Sequence, residues 1–382
     1  MNIQTRLDQS KRTNLGEVLP LNTPFVLIVD PCNICNLRCQ WCPSGHDDLI
    51  SAATNRTQMA MDFDLFKKIV DDSNEFPVPI RVLRMYKEGE PFLNPRFADM
   101  VSYAKTNGNF GRIDTTTNAL LLNREFNRKI IASGIDQINI SVNGVSSEQI
   151  YRYTRRKVDF ERYVENIRDL YNNRGQCTIY VKCIKDTLTE DEQQKFLDIF
   201  GKISDRIYLE RLSPAWPRFS LQSYGFIYDE IGNYGHPVEN RMVCPYIFYS
   251  IVIDSNGSAS TCVGDWKHLQ ILGDIKENSL WQIWNGEIVR RYWIEHLHGN
   301  KDIFPMCADC KVITHGCYDN IDDYAEKILD KLTSETENLK GVPYGREYQQ
   351  VLSGIHTNTH VPPPNFIRRR FSWQYAEQSL AG

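Results

Sequence analysis

Seven of the eleven cysteines fall into two sets whose spacing suits metal chemistry. Cys35, Cys39 and Cys42 form a C-x3-C-x2-C group. Three thiolates this close can hold three corners of a four-iron cube, which takes one thiolate per iron and leaves the fourth iron open. Cys32, just upstream, would complete a four-ligand zinc site, so zinc is the simpler alternative. The second set reads Cys244-x12-Gly257-x4-Cys262, then Cys307-x2-Cys310. A hairpin turning at Gly257 delivers two thiolates and a distant loop two more, enough to close either a cluster or a zinc ion. Cys32, Cys177, Cys183 and Cys317 are left over, and free cysteines mostly pack as small hydrophobes.

Both sets need rigid elements behind them. Short β-branched runs at 25–29, 81–86, 112–116, 137–142, 178–184 and 206–210 predict strands. Between them, helical periodicity predicts helices at 62–74, 96–106, 124–133, 160–172 and 190–200, the first capped by Asp62. Strands alternating with helices predict an α/β fold with a parallel sheet. Six such strands are too few to close an eight-fold barrel, so a partial (β/α)6 barrel is expected, with a doubly wound sheet as the alternative. The first cysteine group then sits after the first strand, at the rim where parallel α/β proteins build their sites. The expected divisions are 1–23 as an N-terminal extension, 24–213 as the barrel and 214–243 as a linker marked by Pro214 and Pro217. Residues 244–320 form a cysteine-bearing unit with a hairpin at Asp254-Ser255-Asn256-Gly257 and a helix near 280–298. Residues 321–382 hold a helix at 321–332 and a tail with Pro362-Pro363-Pro364 and Arg368-Arg369-Arg370.

Trp41 places an aromatic residue before the last cysteine of the first group, and C-x3-C-φ-C of this kind resembles the hallmark of radical S-adenosylmethionine (SAM) enzymes. Lys87-Glu88-Gly89-Glu90-Pro91 after the second strand is similar to that family's GGE-type motif, with Glu88 in place of its first Gly. Thr117-Asn118 ends the third strand, Ser141-Val142-Asn143-Gly144 the fourth, and Tyr151-x3-Arg155 follows, much as in the family. The resemblance implies a [4Fe-4S] cluster on Cys35, Cys39 and Cys42, with SAM chelating the open iron and yielding a 5'-deoxyadenosyl radical that abstracts a hydrogen atom. Trp41 would lie near the adenine, Gly89 and Glu90 would take the methionine ammonium, and Ser141 and Asn143 the ribose. Arg155 would take the carboxylate, and Thr117 and Asn118 belong to the same cofactor rim.

The second set resembles the auxiliary-cluster extensions called SPASM and twitch. No cysteine follows Cys317, which resembles the one-cluster twitch type, with Cys244, Cys262, Cys307 and Cys310 as ligands of a second [4Fe-4S] cluster. The fold implied is a partial (β/α)6 radical SAM barrel with a C-terminal twitch/SPASM-like domain. Cys183 and Cys317 are candidate hydrogen donors to a substrate radical, although strand parity leaves Cys183 open between the cavity and the helices. The resemblance points to a small polyhydroxylated substrate, a sugar, sugar nucleotide or aminocyclitol, oxidised from alcohol to ketone with the second cluster as electron acceptor, or epimerised. The alternative is a peptide- or protein-modifying maturase forming thioether links or crosslinks. About 24 residues before the first strand are too few for a leader-binding domain in front of the barrel. An external electron donor of flavodoxin or ferredoxin type is implied.

Composition narrows the partners. With 44 Lys and Arg against 48 Asp and Glu, the net charge of -4 offers no field for nucleic acid or anionic lipid. The N-terminus lacks the apolar core of a signal peptide, and the longest strongly apolar stretch, 242–253, is far short of the ~20 residues that span a bilayer. A cytoplasmic protein without membrane or nucleic-acid partners is expected, and in that reducing compartment the cysteines serve as ligands rather than disulfides.

Overall fold

The computed structural model describes residues 1–6, 12–54 and 56–337, so the proline and arginine runs of the tail lie outside the described residues. Six parallel strands appear where the β-branched runs stand: β1 (Val26–Val29), β2 (Val82–Met85), β3 (Ile113–Thr117), β4 (Gln137–Ser141), β5 (Thr178–Ile184) and β6 (Arg206–Glu210). They pair in the order β6-β5-β4-β3-β2-β1. The sheet continues past β1. β7 (Ser250–Ile253) lies parallel to it, with Val26 opposite Ser250 and Val29 opposite Ile253. β8 (Ser258–Ser260) and β9 (Ile271–Asp274) then add antiparallel. The cysteine-bearing segment therefore shares the barrel's sheet. Its hairpin turns at Gly257, whose φ of +97° suits a residue without a side chain. At the other edge β6 is covered by the N-terminus, where Gln4 N donates to Ile207 O and Ile207 N to Asn2 O.

Strand parity divides the residues between two faces. Leu27, Val29, Leu83, Met85, Ile138, Ile140, Ile179 and Val181 join the main apolar core with the helices. The alternate positions, linked by the pairings Arg84–Asp114, Asp114–Gln137, Asn139–Tyr180, Ser141–Lys182 and Ile184–Glu210, form a largely polar concave face. Helix starts follow their caps. Asp62 accepts from Asp64 N and Leu65 N ahead of Phe63–Asp72, and Ser146 accepts from Gln149 N ahead of Ser147–Thr154. Thr189 and Glu192 form a capping box ahead of Glu190–Phe200.

Two helices differ from expectation. The one predicted at 280–298 is broken into Leu280–Trp284 and Glu287–Leu297, because Gly286 leaves the helical region at φ -74°, ψ 160° and becomes the start of the second piece. The one predicted at 321–332 begins at Ala325, since the Asp322 carboxylate is engaged by Met242 N and Val243 N rather than serving a longer helix. The segment expected to be a linker, 214–243, packs as a second small core. There Phe219 and Leu221 bury with Ile50, Leu212, Trp266 and Met306.

Candidate functional site: two thiol groups, a polar cavity and a buried ion cluster

The loop after β1 carries Cys35, Cys39 and Cys42 and is held by close backbone contact. A Cβ on Gly89 would overlap the carbonyl oxygens of Cys32 and Ile34, so only glycine lets the two loops meet, and Glu90 N donates to Ile34 O at 2.8 Å. Gly45 is pressed against the Cys39 backbone in the same way. From the other side, Arg38 N and Gln40 N donate to the carbonyls of Thr154 and Tyr153 at the end of the helix Ser147–Thr154. Burial pushes the Cys35 thiol up to about 12, and burial plus the neighbouring Cys35 and Cys42 raises Cys39 well above its usual value. Three such thiols ionise together only when a cation compensates them.

The structure gathers the second set likewise. Burial, then Cys310, Cys262 and Cys307 as neighbours, raises the Cys244 thiol. Among the described residues the group of three or more potential donors within 4.8 Å of one another is Glu88, Asp254 and His268, not cysteines. A tetrahedral zinc with Zn–S of about 2.3 Å would draw its sulfurs to within about 4 Å. Neither thiol set therefore brings three sulfurs all within 4.8 Å of one another, as a single bound zinc would.

The polar residues of the rim meet at the strand ends. Glu90 is buried, and its carboxylate accepts from Thr117 Oγ1 (2.7 Å), Asn118 N (2.8 Å) and Phe92 N (3.2 Å). Burial nevertheless lifts its pKa to about 7. Asn118 Nδ2 donates to Asn36 Oδ1 in the cysteine loop at 2.6 Å, tying β3 to that loop. Trp41 stands against Tyr153 and Phe226, with ring centroids 5.6 and 5.8 Å apart. Arg155 does not join this group. It caps the helix Ser147–Thr154 in the left-handed conformation, φ 56°, and is exposed.

A cavity of about 200 Å³ opens at the ends of β4, β5 and β6, walled by Trp41, Ser141, Asn143, Lys182, Glu210 and Arg211 among others. Lys182 Nζ donates to Glu210 Oε2 at 2.6 Å, while the buried Oε1 has no hydrogen-bond partner. Arg211 pairs with Asp229, and Asn233, another wall residue, has a buried Oδ1 without a hydrogen-bond partner. Lys182 and Glu210 escaped the sequence reading. The signal was parity, for Lys182 lies opposite Ser141 on the concave face. The same parity puts Cys183 among the core-facing positions of β5. The residue borders the cavity but is only 3% exposed and belongs to the apolar core with Ile179 and Val181. Cys317 is also buried, its thiol facing Asp319, and it does not line the cavity. Both residues are thus buried, Cys183 at the cavity's edge and Cys317 away from it.

Glu88 explains the departure from the GGE pattern. It is completely buried, with Oε1 3.0 Å from both Lys87 Nζ and His268 Nε2 and Oε2 3.1 Å from Arg56 Nε. Lys87 also pairs with Asp254. Its ammonium thus stands against the oxygens of Glu88 and Asp254 that a metal ion would need, so the three convergent donors already hold a cation. Burial alone would raise the Glu88 carboxyl, but Lys87 and His268 outweigh it and keep Glu88 ionised. Asp30 lies beside this cluster with neither carboxylate oxygen hydrogen-bonded, and burial lifts it to about 7. Between pH ~4 and ~7 the folded protein therefore holds a proton that the unfolded chain has lost, and stability falls as pH rises through that window. Glu90, lifted to the same value, adds to this decline; chemical denaturation of the metal-free protein is expected to show it, and Asp30→Asn to make it shallower by Asp30's share.

Two family models match the chain: the radical SAM superfamily over residues 29–195 and an iron-sulfur cluster-binding domain, SPASM, over residues 244–311. Among curated proteins, the tungsten-containing aldehyde ferredoxin oxidoreductase cofactor-modifying protein of Pyrococcus furiosus is 24% identical over 321 residues, covering 73% of this chain and 85% of that protein. Among solved structures, SuiB of Streptococcus suis bound to S-adenosylmethionine superposes with a TM-score of 0.52 at 15% identity, covering 72% of this chain and 68% of SuiB. The protein anSMEcpe with bound AdoMet gives 0.51 at 13% identity, covering 87% of this chain and 99% of that one. Taken with the cysteine loop, the Glu90 rim and the hairpin-borne second thiol set, these matches place the chain in the radical SAM superfamily, with a SPASM/twitch-type cluster-binding extension.

Proposed function

We propose that the protein oxidises an alcohol carbon of a small polyhydroxylated molecule. When bound, the cluster on Cys35, Cys39 and Cys42 with SAM supplies a radical that removes a hydrogen atom, and a second cluster on Cys244, Cys262, Cys307 and Cys310 supplies an electron acceptor. The chain's own residues do the rest. Ser141 and Asn143 offer polar groups at the cofactor end of the cavity, and Trp41 walls it. Glu210 Oε1 takes the hydroxyl proton and Lys182 holds the carboxylate in place. Trp41 is backed by Tyr153 and Phe226 and shields that side of the cavity from water.

The observation that carries this reading is the cavity itself. It pairs Lys182 with Glu210 and Arg211 with Asp229 and so carries no excess charge from these pairs, and two buried acceptors beside it, Glu210 Oε1 and Asn233 Oδ1, have no hydrogen-bond partner. Those features favour a small neutral or aminated polyol over an extended peptide. The placement of the Cys183 thiol favours oxidation over epimerisation. The P. furiosus relative is named for modifying a cofactor, in line with a small-molecule target. An external flavodoxin- or ferredoxin-type donor and a cytoplasmic setting belong to the same proposal. Among the described residues no helix is long and apolar enough to cross a membrane, and all eleven cysteines are unpaired.

Anaerobic incubation of reconstituted protein with dithionite, SAM and, in turn, myo-inositol, D-glucosamine and an aminocyclitol tests it. The reading expects 5'-deoxyadenosine release that depends on one of these polyols, matched by a product two mass units lighter. Release stimulated by none of them, but by a peptide, would overturn it. With the responding polyol, Glu210→Gln is expected to keep 5'-deoxyadenosine formation while cutting ketone formation at least ~100-fold, the usual lower worth of a positioned base.

A further inference from the structure

One set of buried groups plays no part in the chemistry above. Asp30, Arg56, Lys87, Glu88, Asp254, Asp265 and His268 are all buried, come from five separate stretches of chain and carry a large desolvation cost. The cluster reaches toward both thiol sets. On one side Arg56 donates to Ser44 Oγ at 3.2 Å and to Asn33 O at 2.6 Å, in the loop of Cys35, Cys39 and Cys42. On the other, Lys87 Nζ donates to Asp265 O at 3.2 Å. The Asp265 carboxylate in turn accepts from Leu269 N and Gln270 N. The Gln270 side chain then donates to Thr261 Oγ1 at 3.0 Å and to Cys307 Sγ at 3.4 Å, while its oxygen accepts from Met306 N. His268 is held at φ +53°, a strained position for a residue with a side chain, with its ring against Glu88 and Asp254.

We propose that Lys87 and Gln270 set the reduction potential of the second cluster, Lys87 as a fixed buried positive charge and Gln270 as a hydrogen-bond donor to a ligand sulfur. Glu88, Asp254 and His268 are positioning residues that keep the ammonium ionised and aimed at the Asp265 carbonyl. A reduced cluster carries one more negative charge than an oxidised one, so a nearby cation and an N–H···S bond both stabilise the reduced form and raise the potential. The inference rests on the two-cluster reading of the preceding subsection.

The test is a potentiometric titration, followed by electron paramagnetic resonance, of the anaerobically reconstituted full chain with SAM present to separate the signal of the open-iron cluster. Lys87→Met and Gln270→Leu are each expected to lower the potential of the second cluster, and Gln270→Leu to leave the first unchanged. Lys87→Arg keeps the charge and is expected to keep the potential. An unmoved second potential in both variants overturns the proposal, as does a fall in Lys87→Arg equal to that in Lys87→Met. If Lys87→Met loses iron, Gln270→Leu still decides, because it touches the ligand sulfur from outside the ion cluster. A wild-type iron content of about four per chain would instead overturn the two-cluster reading itself.

Discussion

Replacing Cys39 by alanine is expected to lower reductant-dependent 5'-deoxyadenosine release from SAM at least ~100-fold, since losing even the supporting partners of a metal ligand typically costs 10- to 100-fold. The loss should be local. Cys39 lies in a loop whose path is set by other groups, namely the close approach of Gly89 to Cys32 and Ile34, the Glu90 N bond to Ile34 O and the bonds from Arg38 and Gln40 to the helix Ser147–Thr154. The variant should therefore fold and keep the iron held by Cys244, Cys262, Cys307 and Cys310. Chromatographic assay of 5'-deoxyadenosine together with iron analysis checks both halves. Release near the wild-type rate would mean that the loop does not hold the cluster.

Arg56→Ala is expected to have the largest effect on stability. Its guanidinium is buried against Glu88 Oε2, and Glu88 is itself completely buried. Removing one partner of a buried ion pair typically costs about 3–5 kcal/mol, because the remaining charge stays desolvated. Lys87 and His268 still face the other Glu88 oxygen, so the lower end, about 3 kcal/mol, is expected in urea denaturation of the metal-free protein. The double variant Arg56→Ala, Glu88→Gln should recover most of the loss, because it removes the stranded charge as well. An equal loss in both would show that Arg56 acts through its bonds to Ser44 and Asn33 rather than through the ion pair.

The parts of the fold legible in the sequence were those written locally. β5 and β6 fall at 178–184 and 206–210 because the apolar runs stop at turn residues. Asp62 and Gly257 mark a helix start and a hairpin turn through their own backbone chemistry. Cys35, Cys39 and Cys42, and likewise the pair Cys307 and Cys310, were legible for the same reason, since short spacings keep their thiols close together. What escaped depends on partners far apart in the chain. Nothing near Glu88 announces that Arg56, Asp254 and His268 will surround it, so it read only as a lapse from a glycine motif. Strand parity left Cys183 open between cavity and helices, and only the folded sheet groups it with the core positions Ile179 and Val181. Residues 214–243 looked like a linker because Pro214 and Pro217 break the βα rhythm. Their aromatic residues gain a core only once the cysteine loop and Trp266 come to meet them.

Two iron-sulfur clusters on separate thiol sets would together bind close to eight irons per chain. Iron and sulfide content of the anaerobically reconstituted protein decides this: close to eight irons are expected in the wild type and about four in the Cys307→Ala, Cys310→Ala variant, with 5'-deoxyadenosine release from SAM retained. About four irons in both proteins, or zinc in the second set, would contradict it.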